Sequence, residues 1–280
     1  MGMSVNTNIG AMAALQSLNE TNKGLATTQS RINTGLSVAS TKDDSAKYTI
    51  AQKLRGDMGG LQAVTSSLSR AKSTVDVAVA GTEQVSDLIN QMKAKAVEAS
   101  DTGLDDTSRG AIAKDLTALK EQVNTIIENS GFNGTNLLKT DTTSTGKVSA
   151  LQSISSTTTL DVDNQDLEAK STTALGASGA DITLTDGAAA TTLKGQLDTF
   201  ATDVSASLST LGSASRKIDG QLTFNSKLSD VIESGIGNLV DADLAKESAK
   251  LQALQVKQQL GVQALSIANQ SPQSITKLFQ

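Results

Sequence analysis

A seven-residue apolar repeat runs from residue 61 to residue 100 and limits what this chain can fold into. One row is Leu61, Leu68, Val75, Thr82, Ile89 and Ala96, and the other is Val64, Ala71, Ala78, Val85, Met92 and Ala99. The rows alternate in steps of three and four, and every member except Thr82 is apolar. A repeat held over this distance predicts a long helix that packs along one side against a partner helix.

A second repeat of the same period lies near the other end of the chain. Its rows are Leu197, Val204, Leu211, Ile218, Asn225, Ile232 and Leu239, and Ala201, Leu208, Ser215, Leu222, Ser229 and Ile236. The polar members either fix the register at a cost in stability or occupy a thin, wet part of the helix contact. Between the repeats, Ile112, Leu116, Leu119, Val123 and Ile126 predict a shorter helix.

Both ends of the chain also carry helical apolar patterns. Leu18, Leu25 and Ile32 step by seven, and the last forty residues include Leu254, Leu260, Leu265, Ile275, Leu278 and Phe279. All other structure lies between these segments, so we expect the two terminal helices to pair. Two helices cannot cover all sides of each other, and ordering a chain has a large entropic cost. We therefore expect both segments to order only against other copies, with these nine residues forming a self-assembly surface.

The middle of the chain differs from the helical parts. Asn133-Gly134 favours a type I′ hairpin turn, and residues 140–190 are rich in Ser, Thr, Gly and Asp. Two alternating runs there, Leu160 with Val162 and Ile182 with Leu184, predict short strands. Thr41 with Asp44 resembles a capping box at a helix start. The predicted fold is mainly α, with long antiparallel helices in a coiled-coil or helical bundle, paired N- and C-terminal helices, and a small β-hairpin insert.

The composition excludes many kinds of chemistry. The chain has no cysteine and no histidine, so it has no disulfide, no His or Cys metal site and no Ser-His-Asp or Cys-His system. Neither an EF-hand loop nor a Gly-rich phosphate loop occurs. We therefore expect no enzymatic activity, no cofactor and no bound metal.

Charge and hydropathy argue against two classes of partner. The net charge is −5 with both signs interspersed, and aromatic residues make up 2%, so the chain has neither a basic stripe nor a stacking platform for nucleic acid. No stretch of 18 apolar residues occurs that could span a membrane. The N-terminus lacks the pattern of a secretory signal peptide.

Four segments together resemble bacterial flagellin. They are VNTN at 5–8, RINTGLSVASTKDDSAKYTIAQKL at 31–54, GFNGTNLL at 131–138, and DADLAKESAKLQALQVKQQLGVQALSIANQSPQ at 241–273. The similarity covers roughly residues 4–139 and 195–280, in the family's order and at the family's chain ends. With only about 55 residues between the matched parts, the chain resembles a short flagellin without large outer domains.

The resemblance implies a structural subunit that self-assembles into the extracellular flagellar filament for motility. It implies an inner coiled-coil domain of residues 1–42 and 240–280, and an outer helical domain of residues 43–239 with an insert at about 131–195. The expected partners are other copies of the chain, the flagellar export apparatus and a chaperone, and the filament cap and junction proteins. Export in the family uses no cleaved signal peptide.

One stretch departs from many flagellins. In the patch that a Toll-like innate immune receptor reads, Gln91 replaces an Arg, Ala94 a Glu and Lys95 a Leu, so the resemblance implies weak or no recognition. Three alternatives to a filament subunit are a flagellin-like hook–filament junction protein, a surface coiled-coil ligand of a host innate immune receptor, and an enzyme within the insert.

Overall fold

The computed structural model describes residues 8–140, 146–154 and 158–276, the last six of these by backbone alone. Along the described chain the helices are α1 (Ile9–Thr34), α2 (Ser45–Ala99), α3 (Asp106–Asn129), α4 (Leu167–Leu175), α5 (Gly187–Val240) and α6 (Leu244–Thr276). The strands are β1 (Gly131–Phe132), β2 (Thr135–Asn136), β3 (Val148–Leu151) and β4 (Thr159–Val162). The mainly α fold with a small β insert is confirmed.

The chain divides into two compact units. One unit contains the chain up to Met58 and from Asp230 onward, and the other contains Gly59–Ser229. The inner and outer domains that the family resemblance implies have their boundaries at residues 42 and 240.

The core of the Gly59–Ser229 unit follows the heptad rows. All twelve predicted positions from Leu61 to Ala99 are buried, and all but Leu61 and Thr82 pack in one cluster with Leu116, Val123, Leu197 and Phe200. Ion pairs join Lys93 to Asp198 and Lys72 to Asp219 across α2 and α5. Since the residue numbers rise on one helix as they fall on the other, the two helices run antiparallel within this unit.

The insert contains two antiparallel strand pairs. β1 and β2 form a hairpin, with Phe132 opposite Thr135. The two residues of its turn, Asn133 and Gly134, have φ of 49° and 79°, which confirms the predicted type I′ turn. β3 pairs with β4, and the predicted strand at Leu160 and Val162 is confirmed.

The predicted strand at Ile182 and Leu184 is wrong. This segment pairs with no other strand in the described part of the chain. Ile182 is buried, and its backbone N–H donates to Thr117 Oγ1 at 3.0 Å. The apolar alternation marks burial against α3 rather than a sheet, because a side-chain hydroxyl takes the place of a strand partner.

The start of α2 also differs from the sequence prediction. The capping box at Thr41 and Asp44 is absent, since α2 begins at Ser45 and Asp44 itself is the cap: its Oδ1 accepts from the N–H groups of Ala46 and Lys47. This carboxylate satisfies two N–H groups that the first helical turn leaves without backbone partners.

The unit formed by the two chain ends is held together where α1 ends and α6 begins. Gly35 ends α1 with a φ of 72°, a left-handed conformation that glycine adopts without strain. Its carbonyl accepts from Ala242 N–H, and the Ser37 and Val38 N–H groups donate to Val240 O. A small apolar cluster of Val38, Ala51, Ile236 and Val240 lies beside these bonds.

Candidate assembly surface

α1 and α6 pack against each other as an antiparallel pair. Asn8 Nδ2 donates to Ala268 O, Gln258 Nε2 donates to Asn22 Oδ1, and Arg31 Nη1 donates to Glu247 Oε1. The partner's number falls as the number on α1 rises, so the helices run in opposite directions. The predicted pairing of the two terminal segments is present.

The contact between the two helices, which we call the seam, combines leucines with small residues. Leu254 lies over Gly24, where an added methyl group would contact its side chain at 3.5 Å, and Leu18 lies over Gly261 at 3.2 Å. The absence of side chains at these two glycines lets a leucine of the opposite helix approach the backbone closely. On α6 the less exposed positions recur in steps of four and three: Glu247, Leu251, Leu254, Gln258, Gly261, Leu265 and Ala268.

The predicted assembly residues separate into two groups. Leu18, Leu25, Ile32, Leu254 and Leu265 are partly buried, whereas Leu260 is 58% exposed. For Ile275 the side chain lies outside the described residues, as do Leu278 and Phe279 altogether. Within the single chain, the first group belongs to the less exposed side of its helices, and Leu260 faces solvent.

Other large apolar side chains share the outward position of Leu260. On α1 these are Ile9, Met12 and Leu15, and on α6 they are Leu244, Val256, Val262 and Ile267. Ile9 and Ile267 reach 77% and 69% exposure. We call these seven residues with Leu260 the outward face. The sequence signal for them was available, since they are apolar residues between the seam positions of an amphipathic helix.

This outward face is far more apolar than a solvated helix surface requires. Scattered exposed apolar residues are ordinary, whereas a concentration of them on two paired helices is a pattern typical of interaction surfaces. Within α1 the one buried side chain is that of Thr28. The α1–α6 pair therefore buries little of its own apolar surface.

The altered receptor patch lies on a different part of the molecule, along α2. Gln91 and Ala94 are exposed. Lys95 Nζ lies 2.9 Å from Asp115 Oδ2 of α3, and this hydrogen bond raises the pKa of Lys95. The three residues border a groove of about 560 Å³ whose α3 side includes Asp115 and Leu119. The cation at position 95 is thus paired within the chain.

The described residues contain no cluster of three or more carboxylates that could hold a metal ion. In the same part of the chain, no helix combines the length and apolar character needed to cross a bilayer.

Comparison with known proteins defines the class to which this architecture belongs. Residues 5–143 match the model of the bacterial flagellin N-terminal helical region, and residues 195–279 match that of the C-terminal helical region. The fold is similar to that of Bacillus cereus flagellin, with a TM-score of 0.51 and 23% identity, over 57% of this chain and 88% of that one. A putative flagellar hook-associated protein from Vibrio parahaemolyticus has a similar fold, with a TM-score of 0.55 and 13% identity, over 71% of this chain and all of that one.

Full-length relatives narrow the class. The chain is 45% identical to flagellin FljM of Caulobacter vibrioides, covering 99% of this chain and 98% of that protein. It is 36% identical to a flagellin of Brucella melitensis, covering 99% of each. The chain belongs to the bacterial flagellin family. It is a short flagellin, a structural subunit that polymerises into the flagellar filament used for motility.

Proposed function

We propose that the outward face of α1 and α6 forms the contacts between copies of this chain in the filament, and that both helices gain order when those contacts form. The observation that carries the proposal is the concentration of exposed apolar side chains on these two helices, from Ile9 to Ile267. Burying such surface is the main favourable term in protein association. Residues 1–42 and 240–280 then constitute an inner assembly domain, and residues 43–239 an outer domain.

The seam and the outward face have different roles in this proposal. Seam residues such as Leu18 and Leu254 pack α1 on α6 within one chain. Leu260 and its outward neighbours pack on other copies. Ile275, Leu278 and Phe279 extend the same apolar pattern to the end of the sequence, and we assign them to the contacts between copies.

A single charge substitution tests the proposal. Leu260→Asp places a carboxylate in the proposed contact, where an unpaired charge is strongly unfavourable. Gln259→Asp is the matched control, because it adds the same charge at the neighbouring exposed position of α6. We expect Leu260→Asp to raise the critical concentration for filament formation at least about tenfold, and Gln259→Asp to change it little. Sedimentation and electron microscopy measure both, with thermal melting of the Gly59–Ser229 unit as the folding control. Normal assembly of Leu260→Asp would show that the outward face does not form the contact between copies.

We also infer export through the flagellar secretion apparatus with a chaperone, and assembly beneath a filament cap on the junction proteins. Membership of the flagellin family supports this inference. The chain also has no cysteine and so forms no disulfides.

A further proposal concerns the innate immune receptor. Interface energies concentrate in a few residues, with arginine a frequent member. Gln91 offers no guanidinium and Ala94 no carboxylate, while Lys95 is paired with Asp115. We expect the filament protein to activate the receptor weakly.

The triple variant Gln91→Arg, Ala94→Glu and Lys95→Leu tests this reading. It should recover part of the response in a reporter-cell assay on monomeric protein, with Gln91→Glu as a control that changes charge without supplying the arginine. Strong activation by the unmodified chain would show that the receptor reads other residues here.

A further inference from the structure

A polar cluster lies within the seam, at the end next to Gly35. Arg31 Nη1 on α1 donates to Glu247 Oε1 on α6 at 3.1 Å. Thr28, one helical turn before Arg31, is fully buried, and Glu247 is 9% exposed. Among the described side chains of α1 and α6, Thr28 and Glu247 are the buried ones. The most enclosed positions of this helix pair are therefore polar.

The hydrogen bonds of this cluster are incomplete. Thr28 Oγ1, Arg31 Nε and Glu247 Oε2 are buried without a hydrogen-bond partner among the described residues. Lys250 Nζ lies 4.0 Å from Glu247 Oε2. The Arg31 side chain is 30% exposed and that of Glu247 is 12% exposed. An enclosed ion pair that is only partly satisfied contributes little stability compared with apolar residues of similar volume. Stability alone does not account for this cluster.

The cluster discriminates between alternative pairings of the two helices. The rest of the α6 seam includes Leu251, Leu254 and Leu265, partly exposed residues of one type. Sliding α6 by one heptad would bring Leu254 or Ala268 to the place of Gly261 beside Leu18, so the leucine–glycine contacts oppose the slide. The same slide would separate Arg31 from Glu247 and leave the enclosed Glu247 carboxylate without its partner, which is also unfavourable.

We propose that the Arg31–Glu247 pair, with Thr28 beside it, fixes the register of α1 on α6 and so sets the outward face for contact with other copies. The register matters because each residue of a helix is rotated about 100° from the previous one. A shift of α6 along α1 changes which outward side chains lie next to Ile9, Met12 and Leu15. The inference rests on the proposed role of the outward face.

Charge reversals provide the first test. Arg31→Glu and Glu247→Arg each place like charges together, and each should raise the critical concentration for filament formation at least about tenfold. The double reversal Arg31→Glu with Glu247→Arg restores a pair and should recover assembly. Asp219→Arg is the control, since it reverses one member of the exposed Lys72–Asp219 pair and should leave assembly unchanged. Failure of the double reversal to recover any assembly, with the Gly59–Ser229 unit folded, would overturn the proposal.

An apolar double variant separates register from stability. Arg31→Leu with Glu247→Leu should keep the helix content of the chain, because the seam becomes more apolar. It should nevertheless populate a second register, because only the leucine–glycine contacts then oppose a slide. Two cysteine pairs report the register without background in a chain that has no cysteine. Asn22→Cys with Gln258→Cys replaces two side chains that are hydrogen bonded at 2.8 Å, and Asn22→Cys with Leu265→Cys detects a shift of one heptad.

With the native charges, cross-linking under oxidation should occur at 22–258 alone. In the apolar background it should divide between 22–258 and 22–265. Exclusive 22–258 cross-linking together with normal assembly in the apolar background would overturn the proposal. The outcome is separable from the proposed function, because normal assembly of Leu260→Asp contradicts the outward face whatever the register.

Discussion

For single residues, the heptad rows predict which substitutions in α2 lower the free energy of unfolding. Val85 is fully buried in the core cluster of the Gly59–Ser229 unit, whereas its neighbour Gln84 is exposed. Val85→Asp should lower the free energy of unfolding by roughly 3–5 kcal/mol, because it buries an unpaired carboxylate. Gln84→Asp should change it by less than about 0.5 kcal/mol. Equal thermal melts for the two variants would contradict the helix register.

Lys93 would be a poor control for that comparison. It lies off the apolar rows, yet it forms an ion pair with Asp198 of α5. A carboxylate at position 93 would face another carboxylate. The partner of a surface charge depends on which helix packs alongside, and the periodicity of one helix does not supply that information.

The buried side chain of Lys120 should make the free energy of unfolding depend on pH. It is buried, and its Nζ donates to Ala177 O and Ala180 O, both at 2.8 Å. Burial lowers the pKa of Lys120 from its ordinary value of 10.5, while Asp181 and Glu121 oppose the shift. Between the lowered pKa and 10.5 the native state binds fewer protons than the unfolded state, so the free energy of unfolding rises with pH in that window.

The variant Lys120→Met lacks this dependence. Denaturant unfolding from pH 8 to pH 10 should therefore show the native protein gaining stability relative to the variant as the pH rises. Other lysines titrate in both proteins and cancel in the difference. A difference that stays constant or shrinks with pH would contradict the lowered pKa. No sequence pattern indicates this lysine's role, because its acceptors are backbone carbonyls 57 and 60 residues away along the chain.

At the scale of helices and strands, sequence predicted the packing rows well because they depend on a local period. All twelve positions from Leu61 to Ala99 are buried, and the hairpin at Asn133-Gly134 has the backbone that its turn residues favour. The prediction of a strand at Ile182 was wrong because strand pairing requires a distant partner that alternation alone does not identify. The same limit applies to the terminal helices, where seam and outward positions are both apolar and only the placement of the second helix separates them.

The burial of Asn225 in α5 bears on the two explanations that the sequence allows for the polar heptad positions, a fixed register or a wet part of the helix contact. It is 1% exposed, its Oδ1 accepts from Gln221 Nε2 at 3.4 Å, and its Nδ2 has no hydrogen-bond partner among the described residues. Such burial argues against a wet part of the contact. Asn225→Leu removes a buried unsatisfied donor at similar volume, so it should raise the free energy of unfolding by about 1–3 kcal/mol. A lower melting temperature for this variant would show that the amide is better satisfied than its geometry indicates.

Across the whole molecule, the Gly59–Ser229 unit and the α1–α6 pair differ in what stabilises them. The Gly59–Ser229 unit has an apolar core of its own. The α1–α6 pair buries few side chains and leaves its outward face to solvent. We therefore expect the terminal helices to depend on other copies for their order, and the Gly59–Ser229 unit to fold without them.

The most direct test of this claim is electron microscopy of a chain that ends at Leu260, under conditions in which the full chain forms filaments. Removing residues 261–280 deletes Val262 and Ile267 of the outward face and the apolar residues that follow in the sequence, but leaves the Gly59–Ser229 unit intact. If the terminal helices form the contacts between copies, the truncated chain forms no filaments. Its circular-dichroism spectrum and thermal melt should still show the helices of the Gly59–Ser229 unit. Filaments of normal length and abundance from the truncated chain would contradict this claim.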